Sequence, residues 1–341
     1  MRSLNPDKVA QLPIWRAIPA LFTLLLGWLL LGELAARTPL ASQLPPPSTG
    51  ADSFEFDLKV FYLEQSLRTR GPLDCIIVGD SMANDGPDPT LVEQTYTEIT
   101  GTPLHCFNFG MPALTLEASA PLAETLANRY HPRLLIFMLS PRDFVPEFGA
   151  PYAHVATSAW TRQNSGQKSI KGWAANYLYG YRYFLFMRYW LNPENRETYT
   201  IARQHIEQNG FTPLYGFRKP AVTYPPQPNY SLADPAAMKG FERLLALSSH
   251  QNLLIIDAPV SPKHYQIYLQ TPEGYISDYV QPMQAEFAPL GIPFWLTKGL
   301  SESIPDEAWH DALHVNEKGV PILSGWMGQQ LAKYYPPEFF K

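Results

Sequence analysis

Cys75-Ile76-Ile77-Val78-Gly79-Asp80-Ser81 is the stretch that decides the fold of this 341-residue chain. Four apolar residues bounded by polar residues and a glycine are typical of a short strand that is buried on both faces. The serine is the third residue after the strand, at the edge where a parallel sheet presents the residues that bind ligands. The sequence therefore predicts a buried strand that carries Ser81 to the edge of a sheet.

Similar apolar runs recur along the chain and alternate with segments of helical spacing. The further runs predicted as strands are 104–109, 134–139, 253–257 and a shorter one at 292–296. Helices are predicted near 57–68, 91–100, 116–130 and 236–250. Strands that alternate with helices indicate an α/β fold with a central parallel sheet.

A second informative element lies near the C-terminus. Asp311-Ala312-Leu313-His314 places an acid and a histidine three positions apart, on one side of a helical turn or tight loop. A serine hydroxyl needs a base that takes its proton, and the base needs a third group that fixes its tautomer. Ser81, His314 and Asp311 therefore form a candidate catalytic set.

Together these elements resemble the SGNH, or GDSL-like, hydrolase superfamily. The resemblance covers roughly residues 73–143 and 250–335. It implies a three-layer α/β/α sandwich with a central parallel sheet. It also implies that Ser81 is the nucleophile, His314 the general base and Asp311 the group that orients the base.

Two further motifs depart from the pattern of that superfamily. Asn108-Phe109-Gly110-Met111-Pro112-Ala113 has alanine in place of the glycine whose backbone N–H helps to bind the oxyanion. Ser140-Pro141-Arg142-Asp143 has arginine in place of an asparagine. Alanine keeps the N–H if its backbone angles fit, whereas arginine brings a permanent charge on a longer side chain.

The resemblance assigns an oxyanion hole to Ser81, Ala113 and Arg142. The alternative for Arg142 is an ion pair with Asp143 or Asp80 that only braces the loop. Further candidates for contact with the substrate are three residues of the same motifs, namely Asp80, Asn108 and Gly110.

An apolar segment near the N-terminus is long enough to cross a membrane. No charged residue occurs at positions 17–32, and the segment can extend to Ala36, about the 20 residues that a bilayer helix needs. Three basic residues precede it and one follows closely. The positive-inside rule therefore predicts a cytoplasmic N-terminus at 1–13, a transmembrane signal-anchor at 14–36 and an extracytoplasmic remainder. A cleaved signal peptide is the alternative, with the same location for the domain.

Beyond this segment, residues 37–52 contain several prolines and predict a stiff spacer that holds the next domain away from the membrane. A single domain is predicted over 53–341, with an insertion at 144–235. Within the insertion, the aromatic stretch 173–190 predicts either a helix packed on the sheet or an exposed surface for sugar rings or lipid headgroups.

Composition and the remaining residue types bound the function. The net charge of −5, without a basic run after the N-terminus, argues against nucleic acid as a partner. The histidines are scattered, so neither a metal nor a cofactor is expected. Cys75 and Cys106 are the only cysteines, and two buried free thiols are expected because neighbouring parallel strands rarely have disulfide geometry. Export itself would permit a disulfide.

These features predict an extracytoplasmic, membrane-anchored serine esterase or O-acyltransferase. Its substrate would be an acyl ester, with acetyl as the expected group, of an envelope or exported polysaccharide. Expected partners are that polysaccharide or an acyl donor, the membrane through the N-terminal helix, and a membrane-bound acyltransferase. The motifs leave hydrolysis and transfer open. The alternative, suggested by the altered motifs, is a catalytically weakened relative that binds glycan or scaffolds an envelope assembly.

Overall fold

A central sheet of parallel strands organises the protein. The computed structural model describes residues 14–38, 45–145, 153–216, 232, 234–262 and 271–341. Within these residues the strands are β1 (Cys75–Val78), β2 (Cys106–Asn108), β3 (Leu134–Leu139), β4 (Leu253–Asp257) and β5 (Phe294–Trp295). Every residue of β1, β3 and β4 is buried, as expected for a sheet that is covered on both faces.

Helices connect and cover the strands. They are α1 (Ile14–Ala36), α2 (Phe54–Arg70), α3 (Ser81–Asp85), α4 (Pro89–Thr100), α5 (Leu116–Tyr130), α6 (Ala153–Thr157), α7 (Ala159–Asn164), α8 (Ile170–Tyr177), α9 (Tyr179–Trp190), α10 (Pro193–His205), α11 (Pro235–Leu247), α12 (Pro272–Gly274), α13 (Gln281–Phe287), α14 (Lys298–Ser303) and α15 (Val320–Tyr334). A π-helical segment, Tyr275–Val280, links α12 to α13.

The strand order is β2-β1-β3-β4-β5, and all pairs are parallel. From β1 the chain moves first to one side of the sheet, into β2, and then crosses back to β3 on the other side. Right-handed crossovers in opposite directions place α4 and α5 on opposite faces. Because α4 packs against α15 and α5 against α11, the result is the expected α/β/α sandwich. The reversal also creates a switch point between β1 and β3, where such sheets bind ligands.

The apolar helix predicted at 14–36 is present as α1. Its segment Ile18–Ala36 has a mean hydropathy of 1.9 and is not buried by the rest of the chain. It is therefore long and apolar enough to cross a membrane. The α/β/α fold class is as predicted, and one apolar helix precedes it.

Cys75 and Cys106 form a disulfide, so the expectation of two free thiols is wrong. The two residues begin β1 and β2 and are register partners, with their Cα atoms 4.5 Å apart. This separation falls within the range that a disulfide spans.

Reduction of this disulfide is expected to lower the free energy of unfolding by about 3–4 kcal/mol, because the bond closes a loop with a sequence separation of 31 residues. Urea unfolding with and without dithiothreitol measures the change. A Cys75→Ala/Cys106→Ala double variant serves as the control, since dithiothreitol should leave its unfolding curve unchanged. Equal stability of the oxidised and reduced wild-type protein would contradict the prediction.

The proline-rich segment is packed on the domain, so the spacer expected within 37–52 is not free over its second half. Residues 46–49 are all buried. Thr49 donates two hydrogen bonds to Asp57 Oδ1, from its backbone N at 2.7 Å and from Oγ1 at 2.6 Å. The Ser48 N–H donates to the Arg182 carbonyl oxygen at 3.2 Å. Polar partners on α2 and α9 therefore hold this segment against the domain.

Candidate active site

Ser81 is positioned by the sharp turn that follows β1. Gly79 has φ +154°, and a Cβ there would lie 2.7 Å from the Met138 carbonyl oxygen, so that only glycine fits. Asp80 caps α3 by accepting the Met82 N–H at 2.8 Å. Ser81 is thus the first residue of α3, where a backbone N–H has no intrahelical acceptor.

His314 and Asp311 complete a continuous chain of hydrogen bonds with this serine. Ser81 Oγ lies 2.8 Å from His314 Nε2. On the other side of the ring, His314 Nδ1 lies 2.8 Å from Asp311 Oδ1 and 3.0 Å from Oδ2. The network assigns the ring proton to Nδ1, because a carboxylate only accepts, and this leaves Nε2 free to accept from the serine hydroxyl. The sequence-predicted triad residues are therefore brought together.

Asp311 and His314 each stabilise the charged form of the other. Burial raises the pKa of Asp311, but the hydrogen bond and charge of His314 and two backbone N–H groups outweigh burial and lower it to about 2. Burial lowers the pKa of His314, but the hydrogen bond and charge of Asp311, together with the charges of Asp85 and Asp80, raise it above its usual range. The protonated form of His314 is thus stabilised beside Asp311.

The loop that carries the acid and the histidine is fixed at both ends. An isolated antiparallel bridge joins Trp309 to Val315 and closes the loop around them. The Ser261 N–H donates to the Ala312 carbonyl oxygen at 3.0 Å, which ties the loop to the segment after β4. Asp311 Oδ1 accepts the backbone N–H groups of Leu313 and His314 at 2.8 and 2.9 Å. The imidazole is therefore held by a preorganised loop.

Ala113, expected at the oxyanion hole, has the backbone conformation that a glycine would adopt there. Its φ is +57°, in the left-handed region. This conformation costs an alanine roughly 1–2 kcal/mol. The fold tolerates this cost, and Ala113 still offers a backbone N–H. The role of this N–H towards an oxyanion stays a prediction.

Arg142 forms an ion pair with Asp80, which is one of the two alternatives considered for it. Its Nη1 lies 3.0 Å from Asp80 Oδ2, and both side chains are buried. Asp143 Oδ2 accepts the N–H and the hydroxyl of Ser140. The pair connects the turn after β3 to the residue that caps α3, and so it braces the segment carrying Ser81. A direct role of Arg142 in binding the oxyanion stays a prediction.

Arg142→Ala is expected to lower the free energy of unfolding by about 3–5 kcal/mol, because Asp80 would be left buried without its partner. Thermal unfolding measures the change. Arg142→Lys should restore only part of it, since the planar guanidinium is lost. The control is Arg70→Ala, which removes a pair with Glu93 in which the arginine is exposed, and it should cost about 1 kcal/mol or less. If Arg142→Ala kept its melting temperature but lost more than about tenfold in kcat, the oxyanion role would be favoured instead.

Asn108 and Gly110, expected to contact the substrate, have structural roles. Asn108 is fully buried, and its Nδ2 donates to the carbonyl oxygens of Ala83 at 2.7 Å and Pro87 at 2.9 Å. A Cβ on Gly110 would lie 2.3 Å from the backbone N of Asn84. These contacts join the end of β2 and the residues after it to α3 and to Pro87. Contact of either residue with a substrate stays a prediction.

Lys59 is a residue of the site that the motifs did not indicate. It is fully buried, and its Nζ donates to Asn84 Oδ1 and, at 2.6 Å, to the Gly110 carbonyl oxygen. Burial lowers its pKa to about 8, although the charges of Glu55 and Asp85 oppose the shift. Lys59 therefore links α3 to the segment that leads to Ala113. Its place on the apolar stripe of α2 is a signal that sequence reasoning could have used.

Lys59→Met is expected to lower the free energy of unfolding by about 1–3 kcal/mol, because the Gly110 carbonyl oxygen loses its charged donor. It is also expected to lower kcat more than it changes KM, since the segment after Gly110 loses its support. Urea unfolding and steady-state kinetics well below the melting temperature measure both effects. The control is Lys239→Met, at an exposed position of α11. An unchanged kcat in folded Lys59→Met would limit Lys59 to stability.

Comparisons with known proteins add little to this geometry. No protein-family model matches the chain, and no curated protein shows significant similarity. A carbohydrate acetylesterase family member from Sinorhizobium meliloti is 12% identical over 76% of this chain and 98% of its own, with a TM-score of 0.38. A lipase/acylhydrolase from Enterococcus faecalis is 14% identical over 76% and 96%, also with a TM-score of 0.38. Similarity this low leaves the geometry of the site as the basis for assigning a function.

Proposed function

We propose that the protein is a serine esterase or O-acyltransferase that works through an acyl-Ser81 intermediate. The observation that carries this proposal is the hydrogen-bond chain from Ser81 through His314 to Asp311, with both links at 2.8 Å. It lies beyond the carboxyl end of β1, beside the switch point of the sheet. The order of the motifs in the sequence supports the same assignment.

In the first half of the reaction, Ser81 Oγ attacks the carbonyl carbon of the acyl ester while His314 Nε2 takes the hydroxyl proton. The resulting imidazolium is stabilised by the Asp311 carboxylate. The N–H groups of Ser81 and Ala113 would bind the oxyanion of the tetrahedral intermediate. The intermediate collapses when His314 gives its proton to the leaving alcohol oxygen, and the acyl group stays on Ser81.

In the second half, a hydroxyl group attacks the acyl-Ser81 carbonyl carbon, and His314 takes its proton. Ser81 Oγ then leaves and recovers a proton from His314. Hydrolysis results if the attacking group is water, and transfer results if it is a sugar hydroxyl. Both outcomes use the same three side chains in the same order, so the acceptor has to be found by experiment.

The proposed substrate is an acyl ester, with acetyl as the group, of an envelope or exported polysaccharide. The apolar helix α1 supports this assignment, because the charges around it favour a domain outside the cytoplasm. A membrane-bound acyltransferase would be a suitable partner as acyl donor. A reporter fused after Lys341 should be active only outside the cytoplasm, and cytoplasmic activity would refute this location.

Release of acetate from a panel of acetylated polysaccharides tests the proposed function, with Ser81→Ala as the control. We expect release by the wild-type protein on at least one polysaccharide and none above background by the variant. Adding unacetylated acceptor distinguishes transfer, in which the acceptor gains mass, from hydrolysis. Equal release by Ser81→Ala and wild-type protein would refute the proposal.

A glycan-binding or scaffolding role is the second candidate, and it is motivated by the third motif. At the place where a neutral donor is expected, the chain has Arg142, which forms an ion pair with Asp80. If this second candidate is right, the protein should bind acetylated glycan but form no covalent adduct on Ser81 with a fluorophosphonate. Adduct formation therefore separates the two candidates.

A further inference from the structure

The helices α8 and α9 each expose one apolar stripe. The exposed large apolar side chains are Ile170, Trp173 and Tyr177 on α8, Phe184 and Met187 on α9, and Leu191 at the C-cap of α9, at 49 to 88% exposure. In each helix the three positions are separated by three or four residues, which places them on one face. The opposite faces bury Ala175 and Asn176 in α8, and Arg182 and Phe186 in α9. We call the six exposed residues together the α8–α9 surface.

The sequence around this surface is basic, although the whole chain has a net charge of −5. No aspartate or glutamate occurs at positions 148–193. The basic side chains exposed in this part of the structure include Arg162, Lys168, Lys171 and Arg188. A basic region that surrounds exposed aromatic and aliphatic side chains is typical of a surface that binds anionic lipid headgroups.

The C-terminal end of α1 is attached to the corner where α8 meets α9. Glu33 Oε2 accepts the Gly180 N–H at 2.9 Å. Arg37 Nη2 donates to the Tyr177 carbonyl oxygen at 2.8 Å and also pairs with Glu33 at 2.7 Å. The last turn of the apolar helix is thus fixed to the same part of the domain that carries the α8–α9 surface.

The described second half of the connection between α1 and α2 also lies against the domain. The buried residues 46–49 are bonded to α2 and α9, as described above. If α1 spans a bilayer, its end lies at the level of the lipid headgroups, and the adjacent α8–α9 surface lies beside it. Trp and Tyr side chains prefer that level, and basic side chains are attracted to anionic headgroups there.

We infer that the α8–α9 surface rests on the bilayer that α1 spans, with its apolar side chains among the headgroups and its basic side chains on anionic lipid. This inference depends on the membrane location proposed above. Two attachments, the spanning helix and this surface, fix the domain in one orientation, whereas a single flexible tether would let it rotate. The candidate active site would then face a constant direction relative to the membrane.

Lipid quenching of site-specific labels in the full chain tests this surface. Trp173→Cys and Phe184→Cys are labelled with an environment-sensitive dye and reconstituted in nanodiscs of phosphatidylcholine and phosphatidylglycerol. Cys75 and Cys106 are joined in a disulfide and do not compete for the dye. Matched controls are Ile99→Cys and Leu290→Cys, which are about as exposed but lie on α4 and after α13. Phe22→Cys on α1 reports insertion of the anchor itself.

Lipids brominated on the acyl chain are expected to quench the dyes at 173 and 184 about twofold or more, because such faces enter the boundary by about 5–10 Å. The dye at 22 should be quenched as well, and those at 99 and 290 should not. Quenching at 22 without quenching at 173 and 184 would overturn the surface and leave the anchor standing. Absence of quenching at 22 would overturn the membrane location and with it this inference.

The role of anionic lipid has its own test. Charge reversal by Lys168→Glu with Lys171→Glu should reduce quenching of the 184 label in nanodiscs that contain phosphatidylglycerol. It should have no effect on quenching at position 22. Unchanged quenching at 184 in this variant would overturn the assignment of these lysines to anionic lipid.

Discussion

Ser81→Ala is expected to lower the turnover of an acyl ester by about 10³-fold or more, because no other group at the site would form the acyl intermediate. His314→Ala should cause a comparable loss, since without its base the hydroxyl is a poor nucleophile. Residues that act as a unit are not additive, so a Ser81→Ala/His314→Ala double variant should be no slower than the worse single variant. Steady-state hydrolysis of a chromogenic acetyl ester measures all three.

The matched control for this result is Ser119→Ala. Ser119 is a buried serine of α5 whose hydroxyl donates to the carbonyl oxygen of Thr115, the N-cap residue of that helix. The control removes the same atom and should leave the rate per folded molecule near that of the wild type. Circular dichroism verifies that each variant is folded. A near-normal rate in folded Ser81→Ala would rule out the covalent mechanism.

Asp311→Asn is expected to lower kcat/KM by about 10²–10⁴-fold, because the imidazole loses its orienting anion. The pH dependence should change as well. The proposed mechanism requires neutral His314, so kcat/KM should rise as pH increases through the pKa of His314. That pKa is raised above its ordinary value of about 6.5 in the wild type. Without the Asp311 charge the midpoint should move to lower pH, and a pH series of kcat/KM measures this shift.

Asp311→Asn should also change how the free energy of unfolding depends on pH. Because the pKa of Asp311 is lowered to about 2, its ionised form stabilises the folded state above about pH 4, and this contribution is lost as pH falls towards 2. Asp311→Asn lacks this contribution at every pH, so its stability deficit should shrink on acidification. An unchanged pH midpoint of kcat/KM, with an unchanged deficit at low pH, would contradict the role assigned to Asp311.

The elements of the core were predictable because they depend on local apolar runs. β1, β3, β4 and α5 have the predicted bounds. β2 and β5 are shorter than their apolar runs, since a strand ends where its neighbour stops pairing. α2 and α4 begin earlier than predicted, because Ser53 and Asp88 cap them. Both capping residues are of types that sequence rules recognise.

The triad could be proposed from motifs, but its contact could not be derived from them. Ser81 and His314 are separated by 233 positions and meet only because the sheet and the last helix fold together. Other features depend on how distant segments of the chain align in three dimensions, which no local sequence pattern determines. The pairing of Cys75 with Cys106, the burial of residues 46–49 and the contact of Lys59 with Gly110 are of this kind.

The central claim is that His314 activates Ser81 for nucleophilic attack, and labelling with a fluorophosphonate tests it most directly. Intact mass spectrometry, followed by peptide mapping, locates any adduct on the folded full-length protein. We predict one adduct, on Ser81, that is absent in Ser81→Ala and forms far more slowly in His314→Ala. A folded wild-type protein that gains no adduct, or gains one on a different residue, would contradict the account.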